Sequence, residues 1–199
     1  MIPSSPARRP VAFAVLLIVA GIVGWWAAFS LTMEKFEGLR NPGSAASCDF
    51  SSLVQCTKNL DSAQGAIFGF PNPIIGLAAW IAPIVVGVAL LSGARFARWF
   101  WVLFWLGFLG AISFVVWLIS QSIFVLGTLC PWCMVTWSVT IPAFLAVTAF
   151  VLAEGALPVG RAVRRSGRVM MRWVPLATVL CFVIVAVLAQ LRLDLLGNL

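Results

Sequence analysis

The sequence predicts an all-α integral membrane protein with five transmembrane helices. Hydrophobic residues make up 62% of the 199 residues, whereas soluble domains contain roughly 45–50%. Charged residues fall to 10%, against about 25% in soluble domains. A soluble fold of this size has no core large enough to bury so much apolar surface, so lipid is the expected solvent. We expect residues 1–199 to form a single membrane domain.

Five apolar runs account for the predicted spans. Each contains about 18–24 residues, enough to cross a hydrocarbon core of about 30 Å at about 1.5 Å per residue. The spans are predicted at residues 11–33, 73–92, 100–121, 130–153 and 174–191. The first run, of about 23 residues, exceeds the 7–15 apolar residues of a signal peptide. Although Ala27 and Ala28 offer a weak cleavage site, we expect an uncleaved anchor.

The basic residues orient these spans. With a cytoplasmic N-terminus, nine arginines lie inside: Arg8, Arg9, Arg95, Arg98, Arg161, Arg164, Arg165, Arg168 and Arg172. Four basic residues lie outside: Lys35, Arg40, Lys58 and Arg192. The positive-inside rule favours this topology and an outward C-terminus. The net charge of +7 therefore reflects membrane orientation, and no nucleic-acid partner is predicted.

The long loop at about residues 34–70 faces outward in this topology. Leu53, Cys56 and Leu60 recur there at helical spacing. They predict a short amphipathic helix over 51–60 that lies on the membrane surface above the mouth of the bundle.

Cys130-Pro131-Trp132-Cys133 is the sharpest motif, and it begins the fourth span. Both sulfurs fall in the first helical turn, where free N–H groups and the helix dipole favour a thiolate. Pro131 suits this turn because its missing N–H has no helical partner to lose. The motif predicts a reversible redox dithiol, and its alternatives are a static disulfide or half of a zinc site. Zinc would have to recruit the loop cysteines, since the chain contains no His.

Cys48 and Cys56 form a second pair in the outward loop, where disulfides persist. Taken alone, this pair equally suits a structural staple. Beside the Cys-X-X-Cys it predicts an electron relay by thiol–disulfide exchange, in which Cys56 reaches Cys130 while Cys48 stays exposed to an outside partner. Cys181, inside the last span, is expected to be a small buried hydrophobic residue.

A lipid-soluble quinone is the expected electron acceptor, because the sequence contains no flavin, nicotinamide or haem signature. Asn72, before Pro73, is either the N-cap of the second span or a hydrogen-bond partner of a quinone carbonyl. Aromatic residues are candidates for a flat pocket: Phe68, Phe70, Trp80, Trp117, Trp132 and Trp137.

In combination, these residues resemble the bacterial branch of the vitamin K epoxide reductase family. The marks are the Cys48/Cys56 pair, Ser62 six residues beyond Cys56, the stretch 68–76 with Asn72, and the Cys-X-X-Cys. In quinone-linked oxidases of the DsbB type the Cys-X-X-Cys comes in the first outer loop, whereas here it comes second.

The resemblance implies a four-helix bundle around ubiquinone or menaquinone, with one peripheral helix, in the bacterial inner (cell) membrane. It implies that Cys48 accepts electrons from a thioredoxin-like (DsbA-like) partner and that Cys56 attacks a Cys130–Cys133 disulfide at Cys130. Cys133 then reduces the quinone. Asn72 and Phe68 belong to the implied quinone site, as does Ser62, the family's loop hydroxyl. Asp49 is implied more weakly, as a residue that tunes the loop.

Two departures from the family pattern affect these expectations. Trp137 stands where animal members carry a quinone-binding Tyr, and an indole N–H can donate to the second quinone carbonyl only from a different geometry. Many bacterial members also continue into a fused thioredoxin-like domain after the last span, whereas this sequence ends at Leu199. The partner is therefore expected to be either a separate DsbA-like protein or a domain that this sequence leaves out. The expected activity is a thiol oxidase that converts dithiol and quinone to disulfide and quinol. The alternative is a non-enzymatic disulfide-stapled or metal-binding membrane subunit, and nothing in the sequence indicates an epoxide substrate.

Overall fold

A computed structural model describes residues 10–157 and 160–194. Seven α-helices occur in these ranges, which contain no strand. They are α1 (Val11–Arg40), α2 (Thr57–Leu60), α3 (Pro73–Ala79), α4 (Ile81–Leu91), α5 (Arg98–Ser120), α6 (Pro131–Glu154) and α7 (Arg161–Leu193). A 3₁₀ helix (Ala63–Ala66) follows α2, and a π-helical turn (Gln121–Leu126) continues α5.

Five helical segments of the described chain are long and apolar enough to span a membrane, as predicted. They are Val11–Arg40, Pro73–Leu91, Arg98–Leu126, Pro131–Glu154 and Val163–Leu193. The second combines α3 and α4, which meet at Trp80. The first and last helices are longer than the predicted apolar spans, because polar turns extend α1 on one side of the bundle and α7 on the other.

Four of the five spans surround an apolar cavity, and the fifth lies outside. Helix α1 packs against α3, α4 and α6, while α5 packs against α6. Helix α7 runs along α6, and none of its described residues lines the cavity. The predicted all-helical membrane fold, with four bundle helices and one peripheral helix, is confirmed.

Glycines allow α1 and α4 to approach closely. A Cβ added at Gly21 would lie 2.5 Å from Ile84 Cγ1. One added at Gly87 would lie 2.7 Å from the carbonyl oxygen of Ala14. Contact between backbones through small residues is a common way for membrane helices to pack.

The outer loop contains less helix than the sequence predicts. Only Thr57–Leu60 is α-helical, so the amphipathic helix predicted over 51–60 is wrong in its first half. Val54 instead forms a parallel β-bridge with Leu129. In this bridge the Leu129 N–H donates to the Leu53 carbonyl at 2.8 Å, and the Gln55 N–H donates to the Leu129 carbonyl at 3.0 Å. The bridge fixes the loop to the residue that precedes Cys130.

Most of the arginines lie at the end of the bundle opposite the redox cysteines. Arg95 and Arg98 flank the start of α5, and four exposed arginines follow the first turn of α7: Arg164, Arg165, Arg168 and Arg172. The predicted topology also places Arg8, Arg9 and Arg161 inside. Arg8 and Arg9 lie outside the described residues, as does the side chain of Arg161.

Candidate active site

Three of the predicted redox cysteines are buried together beneath the outer loop. Cys48 and Cys56 form a disulfide, and the Sγ of Cys130 lies 3.4 Å from the Sγ of Cys56. The exposed fractions of Cys48, Cys56 and Cys130 are 4%, 0% and 0%. Leu31 and Leu60 complete this small apolar cluster. The geometry brings the loop pair and the helix pair within reach of thiol–disulfide exchange between Cys56 and Cys130.

Cys130 is the N-cap of α6, and its sulfur is stabilised by the first turn of that helix. Its backbone is extended, Pro131 follows at the first helical position, and the Cys133 N–H donates to Cys130 Sγ at 3.4 Å. Cys130 and Cys133 are both free thiols. The side-chain hydrogen bond from Cys133 lowers the pKa of the Cys130 thiol, with backbone N–H groups adding to the effect and burial opposing it. Cys130 is therefore the more readily ionised position that the helix-start motif predicts.

Asp49 holds the backbone of Cys56 in place. Its Oδ1 accepts from the N–H groups of Cys56 at 2.6 Å and Thr57 at 3.1 Å, and its Oδ2 accepts from the Thr57 hydroxyl at 2.6 Å. Burial raises the pKa of Asp49, but these hydrogen bonds outweigh burial and hold the pKa below its usual range. The sequence placed Asp49 only beside Cys48, whereas the folded loop makes it the anchor of Cys56.

The outer turns of α1 hold the loop over the cysteines. Glu34 accepts hydrogen bonds from the backbone N–H and the hydroxyl of Ser47. Lys35 Nζ donates to the Leu60 carbonyl at 3.0 Å and pairs with Asp61 at 2.8 Å. These contacts close the loop over Cys48, so the expectation that Cys48 stays exposed is wrong: only 4% of the residue is exposed.

Cys133 faces the apolar cavity of about 750 Å³. At the outer end, polar side chains join Cys133 in the wall: Asn59, Ser62, Gln64, Asn72 and Gln121. The cavity follows α5 to Trp99 and Phe100 near its other end, a length of about 30 Å at 1.5 Å per residue. Gly107 and Ala111 keep its middle open. This shape suits a flat polar head joined to a long apolar tail.

Asn72 lines the outer end of the cavity and is only 9% exposed. It occupies the N-cap position of α3, but its side chain makes no capping hydrogen bond, so capping, one of the two alternatives for Asn72, is not observed. Nδ2 donates to the Gln64 carbonyl at 2.6 Å, and Oδ1 accepts from the Ile67 N–H at 3.2 Å. Since a carboxamide has two N–H donors, one remains for a ligand in the cavity.

The other predicted site residues divide between the cavity wall and the outside. Ser62 lines the cavity and also caps the 3₁₀ helix, its hydroxyl accepting from the Gly65 N–H at 3.1 Å. Trp137 lines the cavity and is 5% exposed. Phe68 does not line it: its side chain is 59% exposed, and its ring lies against Phe114. Phe68 was placed in the site because it is aromatic and belongs to the stretch 68–76 on which the family resemblance rests.

Among the remaining aromatic candidates, Trp80 lines the cavity. Three others lie outside the wall: Phe70, Trp117 and Trp132. Cys181 is half-buried on α7, so the expectation of a buried core residue is wrong.

One group of metal-type ligands occurs in the described part of the chain, at Cys48, Asp49 and Cys56. Zinc binds cysteine as the thiolate, and here the two sulfurs are joined to each other. The Asp49 carboxylate accepts backbone and hydroxyl hydrogen bonds instead. In this redox state the group is a disulfide with its supporting carboxylate.

The model of the vitamin K epoxide reductase family matches residues 15–149. The match covers most of the four bundle helices, both cysteine pairs and Asn72. The chain belongs to this family. None of the curated proteins matches the chain. As a member of the vitamin K epoxide reductase family, it is a membrane oxidoreductase with a disulfide-forming cysteine pair.

Several polar cavity residues of this vitamin K epoxide reductase family member were not found from the sequence, among them Gln64 and Gln121. Gln64 and Gln121 lie in the wall with Asn72. Gln64 lies in the polar loop, and Gln121 ends an apolar run, where a polar residue is typical of a membrane interface. A signal was available for Gln121, because it is an uncharged polar residue nine positions before Cys130 at the same end of the bundle.

Proposed function

We propose that this protein is a quinone-dependent thiol oxidase. It takes electrons from a thioredoxin-like (DsbA-like) partner and delivers them to ubiquinone or menaquinone, in support of disulfide formation in secreted proteins. The observation that carries the proposal is the distance of 3.4 Å between the sulfurs of Cys56 and Cys130. This contact connects a disulfide in the outer loop with a dithiol whose second member faces the cavity.

Electrons enter through the loop pair. A partner thiolate attacks Cys48 and displaces Cys56, and the second partner thiol then releases Cys48 and leaves the partner oxidised. The Cys56 thiolate attacks Cys130 in a Cys130–Cys133 disulfide and displaces Cys133. Cys48 finally attacks Cys56, which restores the loop disulfide and frees Cys130. Two electrons and two protons have moved inward, and the arrangement of one loop disulfide and two free helix thiols matches the end of this exchange.

The cavity fits a quinone in shape and in polarity. Its outer end carries carboxamide donors beside Cys133, and the rest of its wall is largely apolar. A bound quinone supplies an acceptor for two electrons and two protons and leaves as the quinol. Cys133 lies at the cavity wall, where it and Cys130 give up these electrons and protons and re-form their disulfide. Cys130, with its lowered pKa, provides the thiolate of the pair.

We further propose that the protein lies in a bacterial inner membrane with its N-terminus in the cytoplasm. The redox cysteines and the C-terminus then face outward. The position of the arginines at the opposite end of the bundle supports this orientation. The lipid of that membrane surrounds α7 and the outer faces of the bundle.

The test is quinone reduction by the purified protein supplied with a reduced thioredoxin-like donor. We expect activity in the wild type and its loss in Cys133→Ala, because the quinone-side thiol is removed. Absorbance of the quinone measures the rate. Cys181→Ala is the matched control, since Cys181 lies on α7 away from the cavity. Undiminished activity in Cys133→Ala, or an inactive wild type with a range of donors and quinones, would contradict the proposal.

A further inference from the structure

Gln121 places a second carboxamide at the outer end of the cavity. It is the first residue of the π-helical turn that continues α5, and its side chain lines the cavity together with Asn72 and Cys133. Single π-helical turns are rare and often occur at functional sites. Gln121 is not part of the disulfide relay, so its position needs a separate explanation.

Gln64 connects the two cavity carboxamides. Its backbone carbonyl accepts from Asn72 Nδ2 at 2.6 Å, and its side-chain Nε2 donates to Gln121 Oε1 at 3.4 Å. The bond to Gln64 therefore uses the oxygen of Gln121 and leaves the Nε2 hydrogens directed to other partners. Gln64 thus orients Gln121 as a donor, in the same way that its carbonyl orients Asn72.

A donor in an apolar cavity is stabilised when a ligand supplies an acceptor. A para-quinone carries two carbonyl acceptors on opposite sides of its ring, and one donor would leave the second carbonyl unpaired. We propose that Gln121 donates to one carbonyl of the bound quinone while Asn72 donates to the other. The two amides then hold the ring in front of Cys133. This inference rests on the proposed quinone function and assigns a further binding residue for it.

The test uses Gln121→Leu in the full-length protein and a short-chain ubiquinone analogue labelled with ¹³C at its carbonyls. Loss of one neutral hydrogen bond should raise the Kd of the analogue by roughly three- to tenfold. The infrared band of one carbonyl should move to higher wavenumber because that carbonyl loses its donor. Ser120→Ala is the matched control, since the Ser120 hydroxyl bonds to the Trp117 carbonyl and does not line the cavity.

Unchanged affinity and an unchanged carbonyl band in Gln121→Leu would overturn the inference while leaving the quinone function intact. Equal effects in Ser120→Ala would also overturn it, because they would indicate a disturbed helix. If Gln121→Leu does not fold, Gln121→Met keeps the length of the side chain without any hydrogen-bond donor, and the same band shift is required of it. A wild type that binds no quinone would overturn the proposed function itself.

Discussion

Cys130 combines complete burial with an easily ionised thiol. Burial alone favours the neutral form of a thiol, yet the hydrogen bonds from Cys133 and the start of α6 more than offset it. Only a few atoms distinguish this position from an inert buried cysteine such as those that fill protein cores. Its chemistry therefore depends on its immediate neighbour and on the turn that both residues share.

Thiolate formation at Cys130 should depend on Cys133. With the loop disulfide intact and Cys181 replaced by Ala, absorbance at 240 nm should rise at a lower pH than for an ordinary thiol, because the pKa of Cys130 is lowered. At a pH between the lowered pKa of Cys130 and the pKa of an ordinary thiol, Cys130 is ionised while an ordinary cysteine is still protonated. Cys133→Ala removes the largest cause of the shift and should move the midpoint to higher pH. A midpoint that stays or falls in this variant would contradict the assignment.

The positions of the cysteines could be predicted from the sequence better than the contacts around them. The Cys-X-X-Cys motif is local, so its position at a helix start could be predicted from a few neighbouring residues. Asn72 does not cap its helix, which was one of its two predicted alternatives, because residues 64–67 fold back and bind its amide. Gln121 escaped notice because its contact with Gln64 joins two distant parts of the chain.

The transmembrane helices could be predicted from the local sequence pattern much better than the outer loop. Long apolar runs predict spans because lipid requires every backbone group to bond within its own helix. The outer loop has no such requirement. Its first half joins Leu129 in a β-bridge, a partner that helical periodicity in 51–60 does not reveal. Only Thr57–Leu60 becomes α-helical. This turn begins where the Asp49 carboxylate accepts hydrogen bonds from the N–H groups of Cys56 and Thr57.

Close packing of α1 against α4 should make Gly87 intolerant of a side chain. In Gly87→Ala the new Cβ would lie 2.6 Å from Ile18 Cγ1 and 2.7 Å from the Ala14 carbonyl oxygen. Because a backbone atom has to move, we expect a loss of about 1–3 kcal/mol, seen as a lower midpoint of thermal unfolding in detergent.

Gly110→Ala provides the control, because no atom lies within 4 Å of the added Cβ and alanine is the better helix former. Its unfolding midpoint should stay the same or rise. Equal midpoints for the two variants would show that the α1–α4 contact is less tight than described.

At the scale of the whole molecule, the main feature is the cavity, because residues of all four bundle helices line it. Its outer end lies beside the cysteines, and its other end reaches the opposite side of α5. The number of spans could be predicted from the apolar runs in the sequence. The gap between the helices that forms the cavity could not. That gap depends on which helices touch, and α5 contacts α6 rather than closing against α4.

A cavity of this length should distinguish quinones by their tails. Ala111→Phe narrows the middle of the cavity, so we expect the KM for a long-tailed quinone to rise on the order of tenfold through lost apolar burial. The KM for a quinone without a tail should change little, because Cys133 and the polar end are untouched. Steady-state reduction of the two quinones measures the difference.

Val116→Phe is the matched control on the same helix, since Val116 is 58% exposed and does not line the cavity. It should affect neither quinone. An equal loss for both quinones in Ala111→Phe would mean that the tail does not occupy this part of the cavity.

The closure of the loop over Cys48 and Cys56 protects their disulfide from unspecific reduction. With exposed fractions of 4% and 0%, these sulfurs are screened from free thiols in the surrounding solution. A small reductant that collides with the surface does not reach the sulfur atoms of the disulfide. Under the proposed function, a partner protein reaches the disulfide only after it displaces the segment held by Glu34 and Lys35. On that proposal, the burial of the disulfide restricts its reduction to proteins that can open the loop.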